Sequence, residues 1–239
     1  MNRLTSVRSK SMWLASVFMV VFLLFGWMAT GLAQENIVDI NALTQETQKM
    51  SQKADEMTFV WWIPEEFWGA SFAQDPNTTV AQAEEFIKIL RPYTVIVVVD
   101  GKIGAFAGVT YIPEAAIRDS IQIKDSKGAR YLPLSEDAID ADTKSLLSMM
   151  KPLFANTLGP MGQNMVFFLF PSNNKEGQKI ADAKKEGSFS VEMGEREFRW
   201  RLPLGSLLPP KICPTCGEKL SGAYKFCPWD GSKLPEAKK

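Results

Sequence analysis

The 239-residue chain contains no histidine. No other side chain titrates unperturbed near neutrality, so Ser-His-Asp, Cys-His and His-metal chemistries are all excluded. Cysteine is scarce as well: there are three, all between residues 213 and 227. Net charge is missing too, with 27 basic residues against 27 acidic ones and a pI near 6.4. A protein that lives on nucleic acid needs a basic footprint, and this chain as a whole has none. No G-x-S-x-G elbow, P-loop or G-x-G-x-x-G fingerprint occurs, which removes the common nucleophile and nucleotide motifs. What remains is a globular composition, 46% hydrophobic with 16 glycines and 14 prolines. The length suits one domain with additions, or two small domains.

Charge is also absent from Ser11 to Gln34. Arg3, Arg8 and Lys10 precede this stretch, its apolar centre runs from Trp13 to Trp27, and it ends in Ala29-Thr30-Gly31-Leu32-Ala33. Gly31 and Ala33 stand as in an A-x-A cleavage site, so residues 1–33 read as a signal peptide. The same uncharged run is long enough to span a bilayer, and an uncleaved membrane anchor over residues 12–32 is the alternative. In both cases the positive flank stays inside, and the remainder is exported to a periplasmic or extracellular space. Cleavage would leave a weakly acidic chain, with no overall charge to draw it to anionic lipid or nucleic acid.

Residues 34–56 are polar and read as a linker with a short helix around Leu43–Lys53. From Met57 the composition turns β-branched and aromatic, opening a domain over residues 57–209. Met57–Ile63 predicts a strand, Pro64-Glu65-Glu66 a helix start, and Thr79…Gln82 a capping box ahead of a helix through Arg91. Ala83, Phe86, Ile87 and Leu90 share one face of that helix. Tyr93–Val99 is apolar without alternation and predicts a central strand covered on both sides. Asp100-Gly101 reads as a hairpin turn into a strand from Ile103 to Ile112. A second hairpin turns at Asp125-Ser126-Lys127-Gly128. A helix from about Asp142 directs Leu146, Met149, Met150 and Leu153 inward and ends at Gly159-Pro160. Met165–Phe170 is another buried strand, and residues 173–187 are a loop. Around Gly194, Phe189, Val191 and Met193 alternate with polar residues, as do Phe198, Trp200 and Leu202. Seven or eight strands and three or four helices, without a βαβ rhythm, indicate an α+β fold with a mostly antiparallel sheet.

Does this domain carry a site? Trp61, Trp62, Phe67 and Trp68 have the makings of a stacking platform. Alternation sends Trp61 and Trp62 to opposite faces, which favours core packing. Among the acids, Asp100 and Asp125 are accounted for by turns, Glu65 and Glu66 by a helix start, and Asp140 by the position ahead of a helix. Asn77-Thr78-Thr79 matches a glycosylation sequon, and its place at a helix start explains it without modification. The expectation is a non-enzymatic binding protein; a hydrolase using carboxylates of this domain is the alternative.

The C-terminus repeats itself. Cys213-Pro214-Thr215-Cys216-Gly217-Glu218-Lys219-Leu220 aligns with Cys227-Pro228-Trp229-Asp230-Gly231-Ser232-Lys233-Leu234, and Cys, Pro, Gly, Lys and Leu agree. Asp230 stands where Cys216 stands in the first half. Two such turns facing each other bring four ligand atoms round one point. Residues 210–235 thereby resemble the zinc ribbon family, whose paired C-P-x-C-G knuckles grip a structural zinc. The resemblance implies Cys213, Cys216 and Cys227 as ligands of Zn2+, with Asp230 replacing the usual fourth cysteine. Carboxylate is harder than thiolate, so weaker binding than by four cysteines is expected. Three other readings stand beside it: a Cys213–Cys216 redox pair, a disulfide with one free thiol, and a ribbon that holds no metal. Residues 236–239 are a tail. Residues 211–239 hold six lysines, three acids and no arginine, a thin footprint for nucleic acid. A protein partner or an unidentified ligand is expected instead.

Overall fold

The computed structural model describes residues 38–51, 53–106 and 108–236. The expected signal peptide or anchor and the last three residues lie outside the described residues. The fold is α+β, and every strand pairing is antiparallel.

Two four-stranded sheets form its frame. The first has the order β1-β2-β3-β8, from Gln48–Met50 (β1), Phe59–Ile63 (β2), Tyr93–Val99 (β3) and Val166–Pro171 (β8). The second has the order β10-β9-β6-β7, from Ile121–Asp125 (β6), Arg130–Tyr131 (β7), Gly187–Met193 (β9) and Arg196–Leu202 (β10). Side chains alternate across a strand, so each face of the first sheet can be followed by residue number. Val60, Trp62, Ile96, Val98, Phe168 and Phe170 face the second sheet, where they meet Ile123, Phe189, Val191 and Trp200. The Trp62 and Phe189 rings lie 4.8 Å apart edge to face, and Phe189 stacks on Trp200 at 5.0 Å. Trp61, Ile63, Val95, Val97, Val99 and Leu169 face the other way, under a layer of helices. The second sheet has one wet face, where Glu192 pairs with Lys124 and Arg130. The result is three layers: helices, one sheet covered on both sides, and one sheet covered on one side.

The covering helices are α2 (Glu65–Phe72), α3 (Val80–Leu90) and α5 (Ala141–Leu158). They contribute Trp68, Ile87, Leu90, Leu146 and Met150 to the second core. Their starts follow local chemistry. Thr79 and Gln82 form a reciprocal capping box on α3, and the Asp140 carboxylate accepts the Thr143 amide at 2.8 Å at the head of α5. Gly159, at φ 58°, stops α5, and Pro160 begins the short α6 (Pro160–Gln163).

Four expectations are corrected. Residues 34–56 are not simply a linker. Their described part holds α1 (Ile40–Thr47), capped by Asp39, and β1, which pairs with β2. Leu43 and Thr47 are fully buried. The segment is polar in composition, but it places one apolar and one small polar side chain four residues apart on the face that meets the core. Trp61 Nε1 donates to Thr47 Oγ1 at 3.1 Å, and Trp200 Nε1 donates to the Thr47 carbonyl at 3.1 Å. Thr47→Val removes the acceptor of a buried indole and is expected to cost about 1–3 kcal/mol. Thr47→Ser keeps it and should cost markedly less. Urea unfolding of the two variants checks this; equal midpoints would show that the bond contributes nothing.

The Asp100-Gly101 hairpin does not form. The chain continues past it into β4 (Gly101–Ile103), which pairs with β5 (Val109–Tyr111) to make its own two-stranded ribbon. Asp100 is 5% exposed and holds Arg196 through two hydrogen bonds of 2.7 Å. A long-range ion pair has overridden a local turn signal. Thirdly, Met149 and Leu153 point outward, at 64% and 65% exposure. The buried stripe of α5 runs through Leu146, Met150 and Phe154 instead, with the Phe154 ring against Trp61 and Phe167. Finally, twelve strands and six α-helices are described, including the helical turn α4 (Glu114–Arg118). This exceeds the expected count because several elements are only two to five residues long.

Candidate metal centre

The chain leaves the second sheet through a 3-10 turn at Gly205–Leu207. Glu46 of α1 ties this turn down, accepting from the amides of Gly205 and Ser206 at 3.0 and 2.8 Å. A side chain on Gly205 would bring its Cβ within 2.2 Å of Ser221 Oγ and 2.9 Å of Glu46 Oε1. One on Gly222 would lie 2.5 Å from Leu208 Cβ and from the Pro209 carbonyl. Glycine at both positions lets the C-terminal segment sit directly against the body.

The 14-residue sequence repeat is also a repeat of backbone geometry. In the first half, the Cys213 carbonyl accepts the Gly217 amide at 3.0 Å, and the Cys213 amide donates to Glu218 at 2.9 Å. In the second, the Cys227 carbonyl accepts from Gly231 at 3.0 Å, and the Cys227 amide donates to Ser232 at 2.8 Å. Gly217 and Gly231 take matching left-handed conformations, φ 74° and 73°, where a Cβ would be strained. β11 (Lys211–Ile212) pairs with β12 (Lys219–Leu220), and the bridge between Phe226 and Lys233 repeats the Ile212–Lys219 pair. Leu220 and Leu234, again equivalent, close a core of four buried residues with Cys213 and Cys227.

This symmetry aims four donors at one point. One ligand atom each from Cys213, Cys216, Cys227 and Asp230 lies within 4.8 Å of the others. The Cys216 and Cys227 sulfurs are 3.8 Å apart, which matches the edge of about 3.8 Å for two sulfurs 2.3 Å from a tetrahedral centre. Cys213 Sγ lies 3.3 Å from Asp230 Oδ2. The other carboxylate oxygen, Oδ1, accepts the Ser232 amide at 2.8 Å, which turns Oδ2 toward the sulfurs. Thr215 Oγ1 and Ser232 Oγ, 2.7 Å apart, join the two knuckles. These four side chains are close enough to hold a metal ion.

Proximity displaces the titration of Cys213, Cys216 and Asp230. Hydrogen bonding to Ser232 holds the Asp230 carboxyl well below the usual range. The Glu218 amide favours the Cys216 thiolate. Desolvation and the neighbouring Cys213, Cys227 and Asp230 outweigh it, pushing that thiol up to about 12. Hydrogen bonding from the Cys216 amide lowers Cys213. Negative charge therefore settles unevenly over the cluster, and a bound cation relieves the repulsion.

The body places its sequence-predicted acids differently. Glu65 and Glu66 line one cleft with Trp62, Trp68, Arg91 and Lys179. Glu65 pairs there with Arg91 and Lys179, and Glu66 with Lys184. Asp125 holds the turn amides of Lys127 and Ala129, and Asp140 caps α5. Every described carboxylate with a displaced pKa is displaced downward. A general acid held protonated at neutrality needs the opposite shift. Trp61, Trp62 and Trp68 are core residues. Sequence reasoning missed Ser232 as the group that orients Asp230; its place opposite Glu218 in the repeat was the available signal. It also missed β11, a two-residue strand directly before Cys213. Among the described residues, no helix is long and apolar enough to cross a membrane. Comparison of the chain with protein-family models, curated proteins and solved structures finds no match in any of the three.

Proposed function

We propose that residues 210–235 are a structural zinc ribbon at the C-terminus of an exported or membrane-tethered, non-enzymatic protein whose α+β body binds a protein partner or ligand. The observation that carries this reading is the duplicated knuckle, which converges Cys213, Cys216, Cys227 and Asp230 within 4.8 Å. Three soft thiolates and one carboxylate suit Zn2+, which has no geometric demand beyond tetrahedral closure. Four protein donors leave no open position, and no histidine stands by as a base, so the role is structural rather than catalytic. Delivery outside the cytoplasm rests on the N-terminal charge pattern. Coordinated thiolates are poor partners in disulfide exchange, which reconciles reduced cysteines with an oxidising compartment.

Metal analysis of the purified protein together with a free-thiol count tests this. One zinc per chain with all three cysteines unreactive until chelator is added is the expected result. A disulfide with no metal would replace the ribbon with the redox reading.

A further inference from the structure

The second sheet ends at β10, and that edge is open. β8, an edge of the first sheet, has its Leu169 carbonyl taken by the Leu134 amide at 2.7 Å. β1 and β7 are edges of only three and two residues. β10 runs for seven, Arg196–Leu202, and pairs with β9 alone. A long open edge is a template for another chain. Register decides which of its backbone groups face outward. The Gly194 amide donates to the Ser120 carbonyl, so even-numbered residues of β9 bond toward β6. Odd ones then bond toward β10, where Val191 lies opposite Phe198 and Phe189 opposite Trp200. The amides and carbonyls of Glu197, Arg199 and Arg201 therefore point away from the sheet. Among the described residues nothing hydrogen-bonds to them. Their side chains stand exposed on the wet face, two residues apart, and exposed Glu195 precedes them in the hairpin turn. Counted outward from Phe198, the charges mirror each other with the sign reversed: Glu197 against Arg199, Glu195 against Arg201.

We propose that β10 pairs antiparallel with β10 of a second copy of the chain, about a two-fold axis at Phe198. The two second sheets then continue into one another across the axis. In this register Glu197 lies opposite Arg199 of the second copy, and Arg199 opposite its Glu197. All four turn their backbone groups toward the new neighbour, so each pair is a hydrogen-bonded one, with Cβ atoms about 5 Å apart. Arg199 already holds Glu197 of its own strand at 2.9 Å. Two copies close this into a ring of four charges of alternating sign. Arg201 faces Glu195 of the second copy on each flank, and on the dry face Phe198 stands beside its own counterpart. Other registers do worse. An axis at Trp200 sets Arg199 against Arg201 twice, and an axis at Arg199 or Glu197 sets that residue against itself. Like charges directly opposite are destabilising, so charge selects both the partner and the register. Edge pairing alone makes a small interface, and association in the micromolar range rather than tighter is expected. The inference rests on the reading of the body as protein-binding and draws on no residue of the ribbon.

The test is sedimentation equilibrium of the purified protein over a rising concentration series, with hydrogen exchange and zinc content measured on the same samples. Detergent is present throughout, so that the uncharged stretch from Ser11 to Gln34 does not itself associate. A monomer–dimer equilibrium is expected, with the Glu197 and Arg199 amides gaining protection as dimer forms. Glu197→Arg alone and Arg199→Glu alone should each weaken the dimer by roughly 10- to 100-fold, because two attractive pairs become repulsive. An equimolar mixture of the two variants should recover it, since each chain then carries the charges the other lacks. Both side chains are exposed, so neither substitution disturbs the fold. A chain that stays monomeric, with fast exchange at both amides, overturns the inference and leaves the ribbon standing. A dimer that both single variants retain is held by another surface and also overturns it. Recovery in the mixture without zinc upholds the pairing and overturns the ribbon reading alone.

Discussion

On the zinc reading, Cys227→Ser is expected to abolish metal binding and unfold residues 211–234 while leaving the two-sheet body folded. The ribbon's own core is four side chains, Cys213, Leu220, Cys227 and Leu234, and two of those are themselves ligands. A segment this small does not fold on apolar burial. On the zinc reading, its folding energy is the binding energy, about 10–16 kcal/mol for structural zinc sites near neutrality. Replacing a buried thiolate with a weakly donating hydroxyl removes most of that. Hydrogen exchange reads the outcome directly: amides of Cys213, Gly217, Cys227 and Gly231 lose protection, and those of β3 and β9 keep it. The fourth position tests the same chemistry in both directions. Asp230→Cys should bind zinc more tightly than the natural chain and Asp230→Ala more weakly, because thiolate is the softer donor and alanine is none. A Cys227→Ser protein with an undisturbed ribbon would show that something other than metal holds it together.

Arg196→Leu is expected to destabilise the body by about 3–5 kcal/mol, the cost of stranding a buried charge. That is a large share of the 5–15 kcal/mol typical of a domain. Asp100 is 5% exposed, and its carboxylate takes both Arg196 bonds at 2.7 Å and a third from Thr58 Oγ1 at 2.7 Å. Burial alone would raise this carboxyl; the bonds from Arg196 and Thr58 overcome that and hold it below its ordinary 3.8. A depressed folded-state pKa contributes stability that is present above the unfolded value and lost as pH falls through the folded value. In the natural chain that loss begins below about pH 3.8. Without Arg196, burial dominates and the sign reverses: the variant loses stability as pH rises through the ordinary carboxylate range. The gap between the two proteins in urea midpoint should therefore narrow from pH 7 toward pH 4. Adding Asp100→Asn to the variant should recover part of the loss. A gap independent of pH would mean that Arg196 acts through packing alone.

Much of the frame was legible because it is written in short periods. Tyr93–Val99 reads as a strand covered on both sides because its alternation fails, and it lies between β2 and β8. The hairpin about Gly194 follows from strict alternation, and the start of α3 from one Thr-to-Gln spacing. The convergence of Cys213, Cys216, Cys227 and Asp230 was legible for a related reason: a 14-residue repeat carries its own geometry, so equivalent residues return to equivalent places.

What could not be read locally was each choice between options of equal local merit. Leu153 and Phe154 both offered α5 an apolar stripe, and the neighbouring Trp61 and Phe167 rings selected Phe154. Asp100-Gly101 had the form of a turn until Arg196, 96 residues away, claimed the carboxylate. Residues 40–50 had the composition of a linker until two indoles met at Thr47. By itself the sequence determined the character of the long, strongly patterned strands and helices, the antiparallel α+β class, and which cysteines and aspartate correspond across the knuckles. These depend on spacing along the chain, which covalent geometry transmits without a partner. Only the tertiary structure decided which face each helix buries, where Asp100 finds its counter-charge, and that Ser232 turns Asp230 toward the sulfurs. Those outcomes depend on groups brought together by folding, and their energies have no local trace in the order of residues.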